Sequence, residues 1–244
     1  VSSDAYGPIV DNARGIAEMS GMNEEVIDRS DILDSAGNTA KAITKGFAIA
    51  AAALTVLALF AAFVSEVNLA LAPVGEAFNF EDASLLNPLI LAGIFLGAMC
   101  PPLFSALTMN SVTKNAFAMI EEIRRQFREE PGIMKGTVRP DYNRCISMAA
   151  SGALTSLIVP AIIAIIFPLI VGFVMGPKGL TGFLGGSIIT GVIFALFMSN
   201  AGGLWDNSKK YIESGQFGGK GSEAHKAAVI GDTVGDPFRD TAGP

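Results

Sequence analysis

The sequence predicts an all-α, polytopic integral membrane helix bundle, and three observations predict it. Half of the 244 residues are hydrophobic and only 16% are charged, less charge than a soluble domain of this size carries. The mean hydropathy is +0.47. The apolar residues are also clustered: residues 46–64, 83–113, 146–177 and 179–205 contain no Asp, Glu, Lys or Arg. A bilayer core needs about 20 apolar residues per helix, and each run reaches or nearly reaches that length. Four buried helices of a large soluble core are the alternative, but charge-free runs of about 30 residues are hard to place in water.

Taken in order, residues 1–45 are mixed and polar, and Gly46 to Val64 reads as the first span. The segment from Ser65 to Leu86 carries Glu66, Glu76, Glu81 and Asp82 with no Lys or Arg. Asn87 to about Leu107 reads as the second span, which Pro101-Pro102 would kink or break, as neighbouring helices can tolerate in a bundle. Residues 109–145 form a charged loop that begins as a helix and holds Lys114, Arg124, Arg125, Arg128, Lys135, Arg139 and Arg144. Ile146 to Met175 is the third span, Gly176-Pro177-Lys178-Gly179 a tight turn, and Leu180 to about Gly203 the fourth span. Residues 204–228 are polar again, with four lysines, and 229–244 reads as the start of a further helix. Four spans put residues 1–45, 109–145 and 204–244 on one side. Short loops rich in Lys and Arg stay in the cytoplasm, so that side is cytoplasmic.

No signal-peptide pattern is present, and both ends read as cut from a longer polypeptide. Cys100 and Cys145 lie far apart and imply neither a disulfide framework nor a metal cluster. The net charge of −6 argues against a nucleic-acid binder.

Three clusters carry chemistry. Asp232, Asp236 and Asp240 are spaced by four. On a helix, carboxylates at that spacing stack on one face about 6 Å apart and repel unless a cation lies between them. Hard cations such as Mg²⁺ take carboxylate oxygens and bridge to phosphates. A solvated acidic face is the plainer reading, but Gly231, Gly235 and Pro237 suit an exposed helix poorly. The second cluster, Trp205-Asp206-Asn207-Ser208-Lys209-Lys210, reads either as an interfacial anchor or as one metal ligand with two phosphate-binding cations. The third holds Asp4, Asp11, Asn12, Glu18, Asp31, Asp34, Asn38, Lys41 and Lys45. It reads either as snorkelling anchors or as an anion-plus-metal site. The topology lets all three converge, and carboxylates, Mg²⁺ and lysines around one spot suit phosphoryl transfer. His225 stands in a polar loop without metal-ligand neighbours and is assigned no catalytic part. There is no Walker loop and no nucleophile triad.

On these residues the chain resembles the membrane-bound inorganic pyrophosphatase family. The matching motifs are Asp4-Ala5-Tyr6-Gly7-Pro8-Ile9 with Asp11-Asn12, and Gly37-Asn38-Thr39 with Lys45-Gly46-Phe47-Ala48-Ile49. They continue with Trp205-Asp206-Asn207 and Lys209-Lys210, then Gly219-Lys220-Gly221-Ser222-Glu223 through His225-Lys226-Ala227-Ala228. Gly231-Asp232-Thr233 through Gly235-Asp236-Pro237, with Asp240-Thr241, completes the set. The resemblance runs along essentially the whole chain.

It implies a homodimer of 16-helix subunits, of which residues 1–244 would be a C-terminal portion with five or six helices. It implies Mg²⁺-dependent hydrolysis of inorganic pyrophosphate coupled to proton translocation, at a cytoplasmic-side site of a multi-pass protein in a bacterial-type inner membrane. Asp11, Asp206, Asp232 and Asp236 would belong to the metal–pyrophosphate site. Asn38, Lys45, Lys209, Lys210 and Arg239 would contact pyrophosphate. Asp240 would orient and deprotonate the attacking water, with no phosphoenzyme. Lys41 stands where part of the family has Ala and needs K⁺, and so implies a K⁺-independent proton pump, with a sodium pump as the alternative. Arg14 and Arg239 depart from the usual Gly and Lys of the family. A CDP-alcohol-type phosphotransferase would need an upstream Asp-Gly and Ala-Arg pair that is not found. A Mg²⁺ channel would be ill served by paired lysines, which repel the cation.

Overall fold

The structure, a computed structural model, describes residues 2–78 and 84–243. Glu81 and Asp82 of the acidic segment, and the Asp4 side chain of the first motif, lie outside the described residues. The described residues form five helices: α1 (Ser2–Met19), α2 (Glu24–Leu71), α3 (Pro88–Glu129), α4 (Tyr142–Glu213) and α5 (Glu223–Pro237). A π-type turn, Phe238–Ala242, follows α5, closed by the Gly243 N–H donating to the Phe238 carbonyl at 2.8 Å.

Local chemistry sets each start. The Asn23 and Asn87 side chains accept from the Val26 and Leu89 N–H groups, both at 3.0 Å, and Pro88 begins α3 where no N–H is needed. Asp141 caps α4 through Arg144, and Ser222 caps α5 through His225. Gly176 breaks α4 with a positive φ of 67°, a conformation open to glycine. Two limbs result, residues 142–175 and 177–213. At 1.5 Å per residue the 72 residues of α4 would span about 108 Å, far more than one bilayer core of about 30 Å. The two limbs are therefore two spans, and α2 and α3 supply the other two. Among the described residues, α2, α3 and α4 are the helices long and apolar enough to cross a membrane, by length and composition.

The structure corrects several boundaries. The first span is part of a 48-residue helix that starts at Glu24. The polar stretch from Glu24 to Lys45 belongs to the same helix, with part of its charge on an inward face. Asp34, Asn38, Lys41 and Lys45 are all buried. Pro101-Pro102 does not break α3, which runs on to Glu129, so the expected 109–145 loop shrinks to residues 130–141. The tight turn at 176–179 is a single-residue break, and the last helix begins at Glu223 rather than near 229.

Close packing rests on glycine. A β-carbon on Gly93 or Gly97 of α3 would lie 2.2 Å from the Gly179 carbonyl or 1.9 Å from the Phe183 carbonyl. On Gly182 or Gly186 of α4 it would meet the Ile90 or Ile94 carbonyl at 2.2 Å. The α3–α4 backbones thus touch directly, the small-residue packing used inside bilayers. Large apolar side chains such as Leu54, Phe95, Phe173 and Val174 point outward, while the most buried long side chains are Lys41 and Arg239, each only 2% exposed. That inversion suits a lipid-facing exterior around a polar site.

A bulky side chain at Gly186 should lower the thermal unfolding midpoint of the detergent-purified full-length protein, by about 1–3 kcal/mol or more in stability. Gly185, which has open space beside it, supplies the control. Equal effects of Gly186→Leu and Gly185→Leu would contradict the α3–α4 contact.

Candidate active site

The polar cluster sits where α1, the first half of α2, the last turns of α4 and the α5 turn meet. Glycine again permits the approach. A β-carbon on Gly7 would overlap the Lys41 chain at 1.6 Å, and one on Gly37 would meet Val10 at 2.7 Å. One on Gly202 would come within 2.4 Å of the Gly235 carbonyl and 2.7 Å of Arg239 Cβ. The α1–α2 and α4–α5 pairs are thereby close enough for short side chains to converge. Trp205 and Phe238, with ring centroids 6.0 Å apart, brace the α4–α5 seam.

Arg239 is the hub. Its Nη1 donates to Asp206 Oδ2 at 2.5 Å and to Asn38 Oδ1 at 3.0 Å. Its Nη2 donates to Asp236 at 2.5 Å, Asp240 at 2.9 Å and Asp11 at 3.2 Å, and its Nε donates to Asp240 at 3.0 Å. Lys45 donates to the Arg239 carbonyl. Around this hub, Asn38 Nδ2 reaches Asp206 at 2.7 Å and Asn207 at 3.0 Å. Lys210 Nζ lies 2.7 Å from both Asp34 and Asp206. Lys209 pairs with Asp232 and stands 3.6 Å from Asp206. Lys41 Nζ donates to Asp240 Oδ1 at 2.8 Å.

Beside this hub lies a cavity of about 110 Å³ lined by Asp11, Arg14, Asp34, Asp206, Lys209, Lys210, Asp232, Asp236 and Arg239. Two features bear on a metal. One oxygen each from Asp11, Asp236 and Asp240 lie within 4.8 Å of one another. The Asp34 Oδ1 atom is buried with no hydrogen-bond partner among the described residues. An all-oxygen, carboxylate-rich donor set suits a hard divalent cation. The charges tune one another. Burial pushes the Asp240 carboxyl up, and the hydrogen bonds and charges of Arg239 and Lys41 more than offset it, so it lies below its ordinary value. Partial desolvation pushes Asp236 up, and Asp240, Asp11 and Asp232 add to this against the pull of Arg239.

Asp11, Asn38, Lys41, Lys45, Asp206, Lys209, Lys210, Asp232, Asp236, Arg239 and Asp240 come together in the cluster, but their grouping differs from the sequence pattern. The three aspartates spaced by four do not act as one stack. Asp232 turns to Lys209, while Asp236 and Asp240 gather with Asp11. His225 is no isolated loop residue. It lies in the first turn of α5, its Nε2 2.9 Å from Glu213 Oε1 and its Nδ1 accepting from the Gly221 N–H at 3.2 Å. Since Nδ1 accepts, Nε2 carries the ring proton. Sequence reasoning passed over Glu213, which pairs with His225 and lies 3.9 Å from Arg14. Its position three residues after Lys210 was the available signal. Arg14 itself pairs with Glu18 and, at 2.7 Å, with Asp31, tying α1 to α2.

The family model for "Inorganic H+ pyrophosphatase" matches residues 1–244.

The chain belongs to the inorganic H⁺ pyrophosphatase family.

Among its relatives is a K(+)-insensitive pyrophosphate-energized proton pump of Methanosarcina mazei, 52% identical over 244 residues, covering 100% of this chain and 35% of the relative. A putative K(+)-stimulated pyrophosphate-energized sodium pump of Clostridium tetani is 54% identical over the same coverage. A K(+)-insensitive proton pump of Moorella thermoacetica is 52% identical, again covering 35% of the relative. The chain thus spans about a third of the length of the curated relatives it matches. Pumps named for either ion stand at similar identity, so overall similarity does not separate them.

The Lys210 pair with Asp34 and Asp206 gives a direct check on the cluster's electrostatics. Lys210→Met leaves buried carboxylates without their cation and should cost about 3–5 kcal/mol, read from unfolding of the full-length protein in metal-free buffer. Adding Asp34→Asn should restore part of that loss, because the two sites couple. Strictly additive losses would show that the two side chains do not pair.

Proposed function

We propose that the full-length protein hydrolyses inorganic pyrophosphate to two phosphates and uses the reaction to move protons across a membrane. The convergence of Lys209, Lys210 and Arg239 with five aspartates on one cavity at the end of the spans carries this reading. The donor set fits Mg²⁺, which Asp11, Asp206, Asp232 and Asp236 would hold. Bound there, the metal would supply neutralisation of charge on the phosphoryl oxygens.

The chain's own residues perform the remaining tasks. Lys209 and Lys210 offer compact ammonium charges to phosphate oxygens, and Asn38, Lys45 and Arg239 complete the anion's surroundings. Asp240 orients the attacking water and takes its proton. The water oxygen forms the new bond to phosphorus, and the bridging P–O bond breaks toward the second phosphate. No phosphoenzyme is formed. Lys41 holds Asp240 by one oxygen and keeps its carboxylate in the basic form needed for that proton.

A K⁺-independent proton pump is favoured over a sodium pump because the Lys41 ammonium already supplies a cation at Asp240. Four cationic side chains on the cavity wall disfavour a bare Mg²⁺ channel. The site would lie at the cytoplasmic face of a multi-pass protein, since the basic residues of 109–145 belong to the same end of the bundle. A homodimer in a bacterial-type inner membrane is part of this reading. The 244 residues would form a C-terminal portion of one larger domain, whose other segments complete the carboxylate set and the ion gate. The isolated chain is therefore expected to be inactive.

Membrane vesicles bearing the full-length protein test the reading. Mg²⁺ and pyrophosphate should acidify the lumen without K⁺, followed with a pH-sensitive dye. Lys41→Ala should make hydrolysis depend on K⁺. Wild-type hydrolysis that already requires K⁺ or Na⁺ would refute the assignment of Lys41. An absence of hydrolysis in folded protein would refute the pyrophosphatase reading.

A further inference from the structure

The Arg239 guanidinium is only 2% exposed and donates six hydrogen bonds to side chains, five of them to carboxylates. Its Nη2 alone touches Asp11, Asp236 and Asp240, the three residues whose oxygens come within 4.8 Å of one another. Of these, Asp11 and Asp236 are among the carboxylates assigned above to a divalent cation, as is Asp206, which Nη1 contacts. Two cations a few ångströms apart repel, so a metal and this guanidinium cannot hold Asp11, Asp206 and Asp236 at full strength together.

The backbone around Arg239 is fixed on two sides. Its Cβ abuts Gly202, and its carbonyl accepts from Lys45. What can exchange partners is the side chain, carried on a π-type turn of the kind found at functional sites. We propose that Arg239 is a built-in competitor of the metal: it serves as the counter-cation of the empty carboxylate set, and metal binding frees its guanidinium for a phosphate oxygen of the substrate. The inference rests on the pyrophosphatase reading and deepens it. Metal alone must work against the guanidinium, whereas metal with pyrophosphate gives the guanidinium another anion. The two ligands therefore bind cooperatively. An ammonium offers one nitrogen where the guanidinium spreads donors over three, so a Lys at this position would compete less.

The test uses detergent-purified full-length protein. Calorimetric titration measures Mg²⁺ binding without pyrophosphate, and imidodiphosphate binding at saturating Mg²⁺, for wild type, Arg239→Met and Arg239→Lys. Removal of a cation a few ångströms away should tighten Mg²⁺ binding about tenfold or more in Arg239→Met, while imidodiphosphate binding weakens. Arg239→Lys should lie between wild type and Arg239→Met in Mg²⁺ affinity. A purely structural arginine would weaken both ligands together, and Mg²⁺ binding in Arg239→Met equal to or weaker than wild type would overturn the proposal. If Arg239→Met does not fold, Arg239→Lys decides, and an unchanged or lowered Mg²⁺ affinity overturns it. Pyrophosphate hydrolysis by the wild type, measured in parallel, keeps the two readings apart. Tighter Mg²⁺ binding by the variants without wild-type hydrolysis upholds the competition and sinks the pyrophosphatase assignment.

Discussion

One arginine among four carboxylates organises this part of the molecule. Asp11, Asp206, Asp236 and Asp240 come from α1, α4, α5 and the turn after α5, and the Arg239 guanidinium meets all four. Four negative charges at that spacing would force the helices apart without a cation. Every other feature of the site serves to bring those segments close enough for one planar donor to reach them. Gly7 against Lys41 and Gly202 against Gly235 remove the β-carbons that would hold the backbones apart. Lys41, Lys45, Lys209 and Lys210 then balance the remaining charge from the α2 and α4 walls. The cost of burying so many charges is tolerable because each is paired.

The same arrangement would let a membrane protein carry the proposed hydrolysis. α2 and the second limb of α4 each have an apolar half and a half whose inward face is charged. The apolar halves present Leu54, Ile189 and similar side chains outward, and the charged halves meet at one end of the bundle. A soluble anion can reach that end, while the helices that carry the site continue through the apolar zone. Mechanical continuity between site and span is therefore built into single helices rather than relayed through loops.

Much of this was legible in the sequence, for physical reasons. Charge-free runs named four spans because lipid excludes charge, and the two limbs of α4 on either side of Gly176 match two of those runs. Residue types pointed to the cluster, where carboxylates and cations stand together. Polarity misled where burial reversed its meaning. The polar residues before Gly46 set the start of the first span there, yet Asp34, Lys41 and Lys45 face inward on a helix that begins at Glu24. Spacing misled where the backbone changed pitch. The turn after α5 is wider than an α-helix, so Asp240 joins Asp11 and Asp236 while Asp232 turns to Lys209. The pairing of His225 was passed over, because Glu213 lies across the glycine-rich loop between α4 and α5. The family motifs named Gly7, Gly37 and Gly235 but not Gly93, Gly97, Gly182, Gly186 or Gly202, and only the structure gives their reason, which is the close approach of a neighbouring helix.

The central claim is that this cluster is where magnesium and pyrophosphate meet. An experimental density map of the full-length protein with Mg²⁺ and imidodiphosphate bound tests it most directly. The account expects the anion against Lys209 and Lys210, metal among Asp11, Asp206, Asp232 and Asp236, and the Arg239 guanidinium turned from the carboxylates to the anion. An anion bound elsewhere, or metal-free carboxylates still bridged by Arg239, would contradict it.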